Sequence, residues 1–351
     1  MNSINSDGAA AVALKNRIGL ERNEYTGSKS TLCTGCGHDS ITNHIISAFY
    51  QSGIHPYDVA KMSGIGCSSK TPAYWLSKSS GFNSIHGRMA PVATGAKVAN
   101  QKLVMLGVSG DGDTASIGLG GFVHMIRRNV PMTYLVANNG VYGLTKGQFS
   151  ATADFEATQK NGAKNPFSSI DLCALAIELG CTFVARSFSG DAKQLVPLIQ
   201  AAFKHNGMAF IDVVSPCVTF ANHEGATKSF SAVRENNVQL QELGFIHAQD
   251  EKLVDYAEGA TEVVEMQDGS RLTLRKLDSR THDLRDGTNA LGVLRASRAE
   301  GEILTGLFYF DNKSKNFIDT LNLCEKPLPF LNEKDTRPSR EVLLKLMNEN
   351  R

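Results

Sequence analysis

Gly110-Asp111-Gly112-Asp113 follows an apolar run at residues 103–108, and a second turn, Asn138-Asn139-Gly140, follows another apolar run at residues 132–137. Each run has the length of a buried β-strand, and the segment between the two turns is long enough for a helix. Together they make one βαβ unit. Because open parallel sheets bind ligands at the carboxyl ends of their strands, we expect Asp111 and Asn139 to face one ligand.

The residue types in these two turns indicate a metal–diphosphate site. Carboxylate and amide oxygens are ligands that suit Mg²⁺, which often completes its shell with phosphate oxygens. Gly110 and Gly112 allow the backbone to approach an anion closely. A helix opening near Thr114 would direct its unpaired N–H groups at that anion. A Gly-Asp-Gly turn alone is often only a tight turn, so the two strands in front of the turns are what favour the ligand.

The chain has 7 cysteines in 351 residues. The opening MNSINSDGAAAVALKNR lacks the basic and apolar regions of a secretory signal. No apolar run reaches the ~18 residues that a membrane span requires. We therefore expect a cytoplasmic protein without a membrane segment, in which grouped cysteines indicate metal or redox sites.

Four of the cysteines lie in or beside turns. Cys33 and Cys36 form a C-x2-C pair, Cys67 lies in a Gly-bearing turn, and Cys217 follows Pro216 after an apolar run. Four thiolates can hold either Zn²⁺ or a [4Fe–4S] cluster. Since structural zinc usually takes two close pairs, the dispersed spacing favours the cluster. We expect the other three cysteines to be structural; they are Cys173, Cys181 and Cys324.

These motifs make the chain resemble the β subunits of 2-oxoacid:ferredoxin oxidoreductases. The matching motifs follow the family's order and cover about residues 30 to 225. They are Cys33-Thr34-Gly35-Cys36-Gly37-His38, Gly64-Ile65-Gly66-Cys67-Ser68, His86-Gly87-Arg88, Gly110-Asp111-Gly112-Asp113, Asn139-Gly140-Val141-Tyr142-Gly143-Leu144-Thr145-Lys146-Gly147-Gln148 and Ser215-Pro216-Cys217.

The resemblance implies an α/β fold of the thiamine-diphosphate-binding type, a mostly parallel sheet with helices on both faces plus a C-terminal extension. We expect an N-terminal arm over residues 1–28, a cofactor domain over residues 29–230, and an extension over residues 231–351 that packs on a partner subunit.

The resemblance also implies a set of site residues. Mg²⁺ is expected on Asp111, Asn139 and the carbonyl of Val141. One [4Fe–4S] cluster is expected on Cys33, Cys36, Cys67 and Cys217. The residues implied to line the thiamine cofactor are Ile65, Gly66, Cys67, Ser68 and His86. Those implied to hold its diphosphate or close over it are Gly112, Asp113, Gly143 and Leu144.

The implied activity is coenzyme A-dependent oxidative decarboxylation of a 2-oxoacid with reduction of ferredoxin. It is reversible as CO₂ fixation, the direction used in a reductive TCA cycle. No motif here places the glutamate that activates thiamine, so we expect a larger α subunit to supply it, in an (αβ)₂ heterotetramer. The chain also lacks a C-x2-C-x2-C-x3-C motif, so we expect a separate ferredoxin as electron acceptor.

Two lysines are candidates for substrate recognition. Lys146 occupies a position where pyruvate-type relatives tend to have glycine, and its ammonium could pair with a substrate carboxylate. Lys70 is the second candidate. A single lysine is usually a solvated surface residue. The Lys-Gly-Gln form nevertheless resembles relatives that act on 2-oxoglutarate or on several 2-oxoacids, so 2-oxoglutarate is the expected substrate. A broad-specificity or pyruvate-type enzyme is the alternative.

Two other interpretations remain open at this point. One is a non-redox thiamine decarboxylase or ligase whose cysteines hold structural zinc. The other is a metal-binding scaffold subunit without catalysis. The net charge of +1 argues against nucleic-acid binding. Beyond residue 225 we expect a helix over residues 253–265, strands at residues 271–274 and 303–310, and an extended segment at residues 326–329.

Overall fold

The computed structural model of the protein describes residues 15–145, 147–158, 162–217, 252–265 and 271–350. The strands are β1 (Val59–Ser63), β2 (Ser80–Asn83), β3 (Val104–Gly110), β4 (Met132–Asn138), β5 (Val141–Tyr142), β6 (Gln148–Phe149), β7 (Phe183–Phe188), β8 (Met208–Val214), β9 (Thr261–Glu265), β10 (Arg271–Lys276) and β11 (Ile303–Phe310). The α-helices are α1 (Gly37–Ser52), α2 (Met89–Ala99), α3 (Leu119–Arg127), α4 (Leu172–Glu178), α5 (Ala192–Lys204), α6 (Gly287–Ala299), α7 (Phe317–Leu321), α8 (Glu333–Thr336) and α9 (Arg340–Glu349).

Nine of these strands form one sheet in the order β2-β1-β3-β4-β8-β7-β11-β10-β9. The strands from β2 to β7 in this order are parallel. Strand β11 joins β7 in the antiparallel sense. Strands β5 and β6 form a separate small hairpin. The α/β class and the mostly parallel sheet predicted from the sequence are therefore confirmed.

Helices cover both faces of the central strands, which explains their nearly continuous apolar sequences. Along β4, Leu135 packs in the core that contains α1 and α5. The next residue, Val136, packs in the opposite core with α3 and α4. Alternate side chains thus enter two separate hydrophobic cores, as the two-residue period of a strand requires. The rigid centre of the sheet fixes where the turns at its carboxyl edge lie.

Two local expectations were wrong. Residues 253–265 are not helical, since Thr261–Glu265 is the edge strand β9. It pairs with β10, and only Val264 in it is buried. This residue packs on one face of the sheet and is not part of the apolar face of a helix. The expected helix start near Thr114 is also wrong, because Gly112–Ile117 is a π-helical turn and α3 begins at Leu119.

The C-terminal part of the chain contributes to the main sheet. The predicted strands at residues 271–274 and 303–310 are confirmed as β10 and β11. Helix α6, which the sequence analysis missed, begins after Asp286, whose carboxylate accepts a hydrogen bond from the Asn289 N–H. Residues 328–330 form a 3₁₀ turn rather than continuing an extended segment. How residues 231–351 contact a partner subunit stays a prediction.

None of the helices in the described ranges combines the length and apolar character that crossing a membrane requires.

Leu135→Ala should lower the free energy of unfolding by about 2–5 kcal/mol, because it opens a cavity beside a side chain that is fully buried. Val263→Ala on the edge strand is the matched control. Its side chain is exposed, so a change within about 0.5 kcal/mol is expected. Urea denaturation of the two variants would measure both values, and equal losses would contradict this account of the core.

Candidate functional site

The turns that carry the predicted motifs lie along one edge of the sheet. Strands β1, β3, β4 and β8 are neighbours in that order and run parallel, so their carboxyl ends coincide. The turns that follow them contain Cys67, Asp111, Asn139 and Cys217. This is the edge at which open parallel sheets bind ligands.

One cavity opens at this edge, and every residue predicted to contact thiamine, its diphosphate or Mg²⁺ lies in its lining. Those residues are Ile65, Gly66, Cys67, Ser68, His86, Asp111, Gly112, Asp113, Asn139, Val141, Gly143 and Leu144. The lining is completed by His38, Gly110, Ala137, Tyr142 and Thr145. The structure therefore brings together residues that span more than 70 positions of sequence.

The three predicted magnesium ligands are linked in series. The backbone N–H of Asn139 donates to Asp111 Oδ1 over 3.2 Å. The backbone N–H of Val141 donates to Asn139 Oδ1 over 3.1 Å. Asp111 is only 1% exposed. Its Oδ2 accepts from the hydroxyls of Ser150 and Thr152, with the Thr152 Oγ1 at 2.8 Å. A buried carboxylate held in this way is oriented before any ligand arrives.

The carboxylate of Asp113 is occupied by protein partners. Its Oδ1 accepts from the backbone N–H groups of Ile65 (3.2 Å) and Gly87 (2.7 Å) and contacts the His86 imidazole. Its Oδ2 accepts from Ser109 Oγ over 2.7 Å. The side chain therefore fixes two walls of the cavity. A Cβ atom on Gly64 would collide with Asp113 Oδ2, so that turn requires glycine.

The backbone after Asp111 is unusual. Gly112–Ile117 forms a π-helical turn, a feature often found at functional sites. The ring of Tyr142 lies against Gly112, and its hydroxyl donates to the Gly112 carbonyl over 3.2 Å. This contact attaches the β5–β6 hairpin to the turn after β3. It therefore fixes the position of one side of the cavity relative to the other.

The four turn cysteines lie near one another beside this cavity. The Cys36 N–H donates to the Cys33 carbonyl over 3.0 Å. A Cβ atom on Gly143 would lie 3.7 Å from the Sγ atoms of both Cys67 and Cys217. Gly143 itself lines the cofactor cavity. Cys67 itself lines the cavity, and Cys217 lies beside it against Gly143.

Burial and mutual repulsion disfavour the thiolate forms of these cysteines. Burial, then the nearby Cys217 and Cys33 thiols, raises the pKa of Cys67 to about 11. The same causes raise the pKa of Cys36 well above its ordinary value. A bound cationic centre would offset both effects, because metal coordination deprotonates a thiol. Among the described residues, no three His, Cys, Asp or Glu side chains already form a metal-binding group, so both metal sites stay predictions.

The two lysines have different outcomes. Lys146 lies outside the residues that the structure describes. Lys70 lines not the cofactor cavity but a second cavity, which Lys61 and residues 81–83 also line. Lys61 and Ser69 share that second lining, which contains no aspartate or glutamate. The Ser69 hydroxyl is buried there and, in the described part of the chain, lacks a hydrogen-bond partner.

Three residues of the site were not assigned by sequence analysis. His38 lines the cofactor cavity, and its Nδ1 lies 2.7 Å from Ser215 Oγ. Burial lowers its pKa to about 4, so the ring is neutral at neutral pH. Its position two residues after Cys36 was the available signal. The hydroxyls of Ser150 and Thr152 donate to Asp111 from a long connection between β4 and α4. In the sequence, only their spacing of two residues indicated that the two side chains could face the same way.

Comparisons with known proteins agree with this geometry. Residues 59–213 match the family model described as thiamine pyrophosphate enzyme, C-terminal TPP binding domain. The chain is 46% identical over 189 residues to the 2-oxoacid:ferredoxin oxidoreductase subunit beta of Saccharolobus solfataricus, covering 54% of this chain but only 62% of that relative. It is 37% identical over 216 residues to the 2-oxoglutarate synthase subunit KorB of Methanocaldococcus jannaschii, covering 59% of this chain and 78% of the relative.

A solved structure extends the likeness to nearly the whole chain. It is a 2-oxoglutarate:ferredoxin oxidoreductase from Magnetococcus marinus with 2-oxoglutarate, coenzyme A and succinyl-CoA bound. The TM-score is 0.72 at 28% identity, over 96% of this chain and 99% of that one. Together with the geometry of the cavity, these similarities show that the chain belongs to the family of β subunits of 2-oxoacid:ferredoxin oxidoreductases.

Proposed function

We propose that this chain is the β subunit of a 2-oxoglutarate:ferredoxin oxidoreductase. The enzyme would convert 2-oxoglutarate and coenzyme A to succinyl-CoA and CO₂ and pass the electrons to a separate ferredoxin. The observation that carries the proposal is one cavity lined by Asp111, Asn139, Val141 and Cys67, with Cys217 beside Cys67 against Gly143. The named relatives and the ligands of the Magnetococcus marinus structure support the same activity.

The cavity residues suit Mg²⁺ and thiamine diphosphate. Asp111, Asn139 and the Val141 carbonyl would supply oxygen ligands, and the backbone around Gly112 would receive the diphosphate. Thiamine diphosphate, when bound, supplies the electron-accepting ring that permits loss of CO₂ from a 2-oxoacid. Ile65 and Leu144 keep apolar side chains at the cavity lining, and these would help to exclude water from the reacting groups.

The four cysteines suit a [4Fe–4S] cluster. The raised pKa values of Cys36 and Cys67 mean that thiolates need a compensating positive centre here. A cluster held by Cys33, Cys36, Cys67 and Cys217 would supply a one-electron acceptor. Because Cys67 lines the cavity and lies with Cys217 against Gly143, this acceptor would stand beside the bound cofactor.

A larger α subunit would complete the site, in an (αβ)₂ assembly. In the described part of the chain, the cavity lining contains two carboxylates, Asp111 and Asp113. Asp113 accepts hydrogen bonds from this chain's own groups and Asp111 is the proposed Mg²⁺ ligand, so the carboxylate that activates thiamine would come from the partner. Exposed apolar side chains of Ile85 and Ile117 lie close to this region in sequence, as expected of a surface that a partner covers.

The cavity beside Lys70 supports an acidic substrate. Two lysines, no carboxylates and an unpartnered buried hydroxyl make its lining attractive to a carboxylate group. Its Ser69 and Lys70 directly follow Cys67 and Ser68, which line the cofactor cavity, and Lys70 is therefore the proposed contact for the second carboxylate of 2-oxoglutarate. Lys146 remains a second proposed contact. A cytoplasmic location and a role in reductive CO₂ fixation belong to the same proposal.

Asp111→Asn should abolish Mg²⁺-dependent binding of thiamine diphosphate by the complex of this chain with its partner subunit. The substitution keeps the shape of the side chain but removes the charge that would hold the cation. Asp58→Asn, at an exposed position before β1, is the control and should bind normally. Calorimetric titration measures both. Unchanged cofactor occupancy in Asp111→Asn would show that the metal assignment is wrong.

Cys217→Ser should lose or degrade the iron–sulfur cluster after anaerobic purification, whereas Cys324→Ser, at an exposed cysteine, should retain it. Iron and sulfide analysis, with absorbance at roughly 400 nm from thiolate-ligated iron, measures the result. Full iron and sulfide in Cys217→Ser would refute the four-cysteine scheme. Zinc in place of iron in the wild-type protein would favour the non-redox decarboxylase.

Lys70→Met should raise the KM for 2-oxoglutarate about tenfold or more, because a charge-assisted hydrogen bond contributes roughly 1.5–3 kcal/mol. The KM for pyruvate, which lacks the second carboxylate, should change little. Lys102→Met, at an exposed lysine, is the control. Reduction of a low-potential acceptor with coenzyme A and each 2-oxoacid gives the constants. Wild-type enzyme that accepts pyruvate but not 2-oxoglutarate would keep the family and reject the substrate.

A further inference from the structure

A continuous chain of hydrogen bonds leads away from Asp111, and its other members line a third cavity. Thr152 Oγ1 lies 2.8 Å from Asp111 Oδ2 and 3.0 Å from Asn138 Oδ1. Asn138 Nδ2 donates to Asp212 Oδ1 over 3.0 Å. Asp212 Oδ2 accepts from Arg186 Nε over 2.8 Å. The chain thus crosses the ends of β4, β8 and β7.

The far end of this chain is anchored by charge. Arg186 also donates from Nη2 to Asp171 Oδ1 over 2.6 Å. Asp171 in turn caps α4, accepting from the backbone N–H groups of Cys173 and Ala174. Burial alone would raise the pKa of Asp171, but the Arg186 guanidinium holds it below its ordinary value. Arg186 therefore fixes Asp212 to a helix terminus as well as to the sheet.

Very little of this arrangement is open to solvent. Thr152, Asp111 and Asp212 are each 1% exposed. Hydrogen bonds in such surroundings are stronger than in water, and an unpaired member would be costly. The position of each member therefore restricts the positions of its neighbours. The last member restricted in this way is Asp111, whose carboxylate is proposed to bind Mg²⁺.

The donors and acceptors of the chain leave one arrangement for Asn138. Its amide nitrogen must face the Asp212 carboxylate, so its Oδ1 faces Thr152. The Thr152 hydroxyl has one proton, and the acceptors within reach include Asp111 Oδ2, Asn138 Oδ1 and the Ser150 hydroxyl oxygen. The charged carboxylate attracts that proton when no cation is bound. When a cation takes charge from Asp111, the amide oxygen offers the proton an alternative partner.

Resting on the proposed function, we propose that Thr152 is a positioning residue for the metal site. Its hydroxyl holds Asp111 in the orientation that binds Mg²⁺ and transmits the anchoring of Asn138, Asp212 and Arg186. Thr152 lines the third cavity and not the cofactor cavity, so it would act on the metal site through Asp111. Groups that orient metal ligands typically account for about 10–100-fold in metal affinity.

The test compares Thr152→Val, which keeps the shape and removes the hydroxyl, with Thr152→Ser, which keeps the hydroxyl. Mg²⁺ is titrated into the assembled complex at a fixed, saturating concentration of thiamine diphosphate, and heat of binding is measured. Thr152→Val should weaken Mg²⁺ binding at least about tenfold. Thr152→Ser should stay within about threefold of wild type. The melting temperature of the metal-free complex monitors folding separately.

Wild-type affinity in Thr152→Val would overturn the proposal. Equal weakening in Thr152→Val and Thr152→Ser would also overturn it, because the cause would then be packing and not the hydroxyl. If Thr152→Val does not assemble, Thr152→Cys takes its place with the same expected direction, since a thiol is a weak donor. A wild-type complex that binds no Mg²⁺ with thiamine diphosphate would instead reject the proposed function.

Discussion

The buried carboxylate of Asp113 ties together three segments of the chain that are remote in sequence. It accepts hydrogen bonds from the turn after β1, from the segment before α2, and from Ser109 in β3. Burying a carboxylate costs free energy unless the group is hydrogen-bonded, so its burial here depends on these donors. Once they are in place, the walls of the cavity are set. The Asp113 carboxylate therefore sets the relative positions of the segments that carry the other site residues.

Asp111, two residues earlier, is treated differently by the fold. Two hydroxyls and one backbone N–H are among its neighbours and orient the carboxylate. The Asp113 carboxylate joins segments of the protein, whereas Asp111 is the residue proposed to bind the cation. This division explains how two aspartates in one short turn can serve structure and ligand binding separately.

The motif-bearing turns could be predicted from the sequence because each depends on a strand immediately before it. Asp111 and Asn139 follow β3 and β4 directly, and the parallel order of those strands places them together. Residues 261–265 could not be predicted in the same way, because a short alternating segment gains its strand conformation from pairing with β10. Local propensity does not contain that information.

The supporting residues were equally hidden from sequence reasoning. Thr152 lies 41 residues after Asp111 in the chain, inside a connection with no regular pattern, and its hydroxyl has meaning only beside Asp111 and Asn138. The partners of Asp113 were hidden for the same reason. The identity of a ligand can thus be predicted from a motif, whereas the residues that orient it are set by tertiary contacts.

The separation of the four cysteines along the chain has a consequence for how the protein matures. Cys33 and Cys36 leave the ribosome early, while Cys217 follows β8, whose place between β4 and β7 requires both neighbours to be folded. Contacts between such distant residues form slowly. The complete group of thiols is therefore expected late in folding. If it holds iron as proposed, the free energy of metal binding would add to the stability of the folded chain only at that stage.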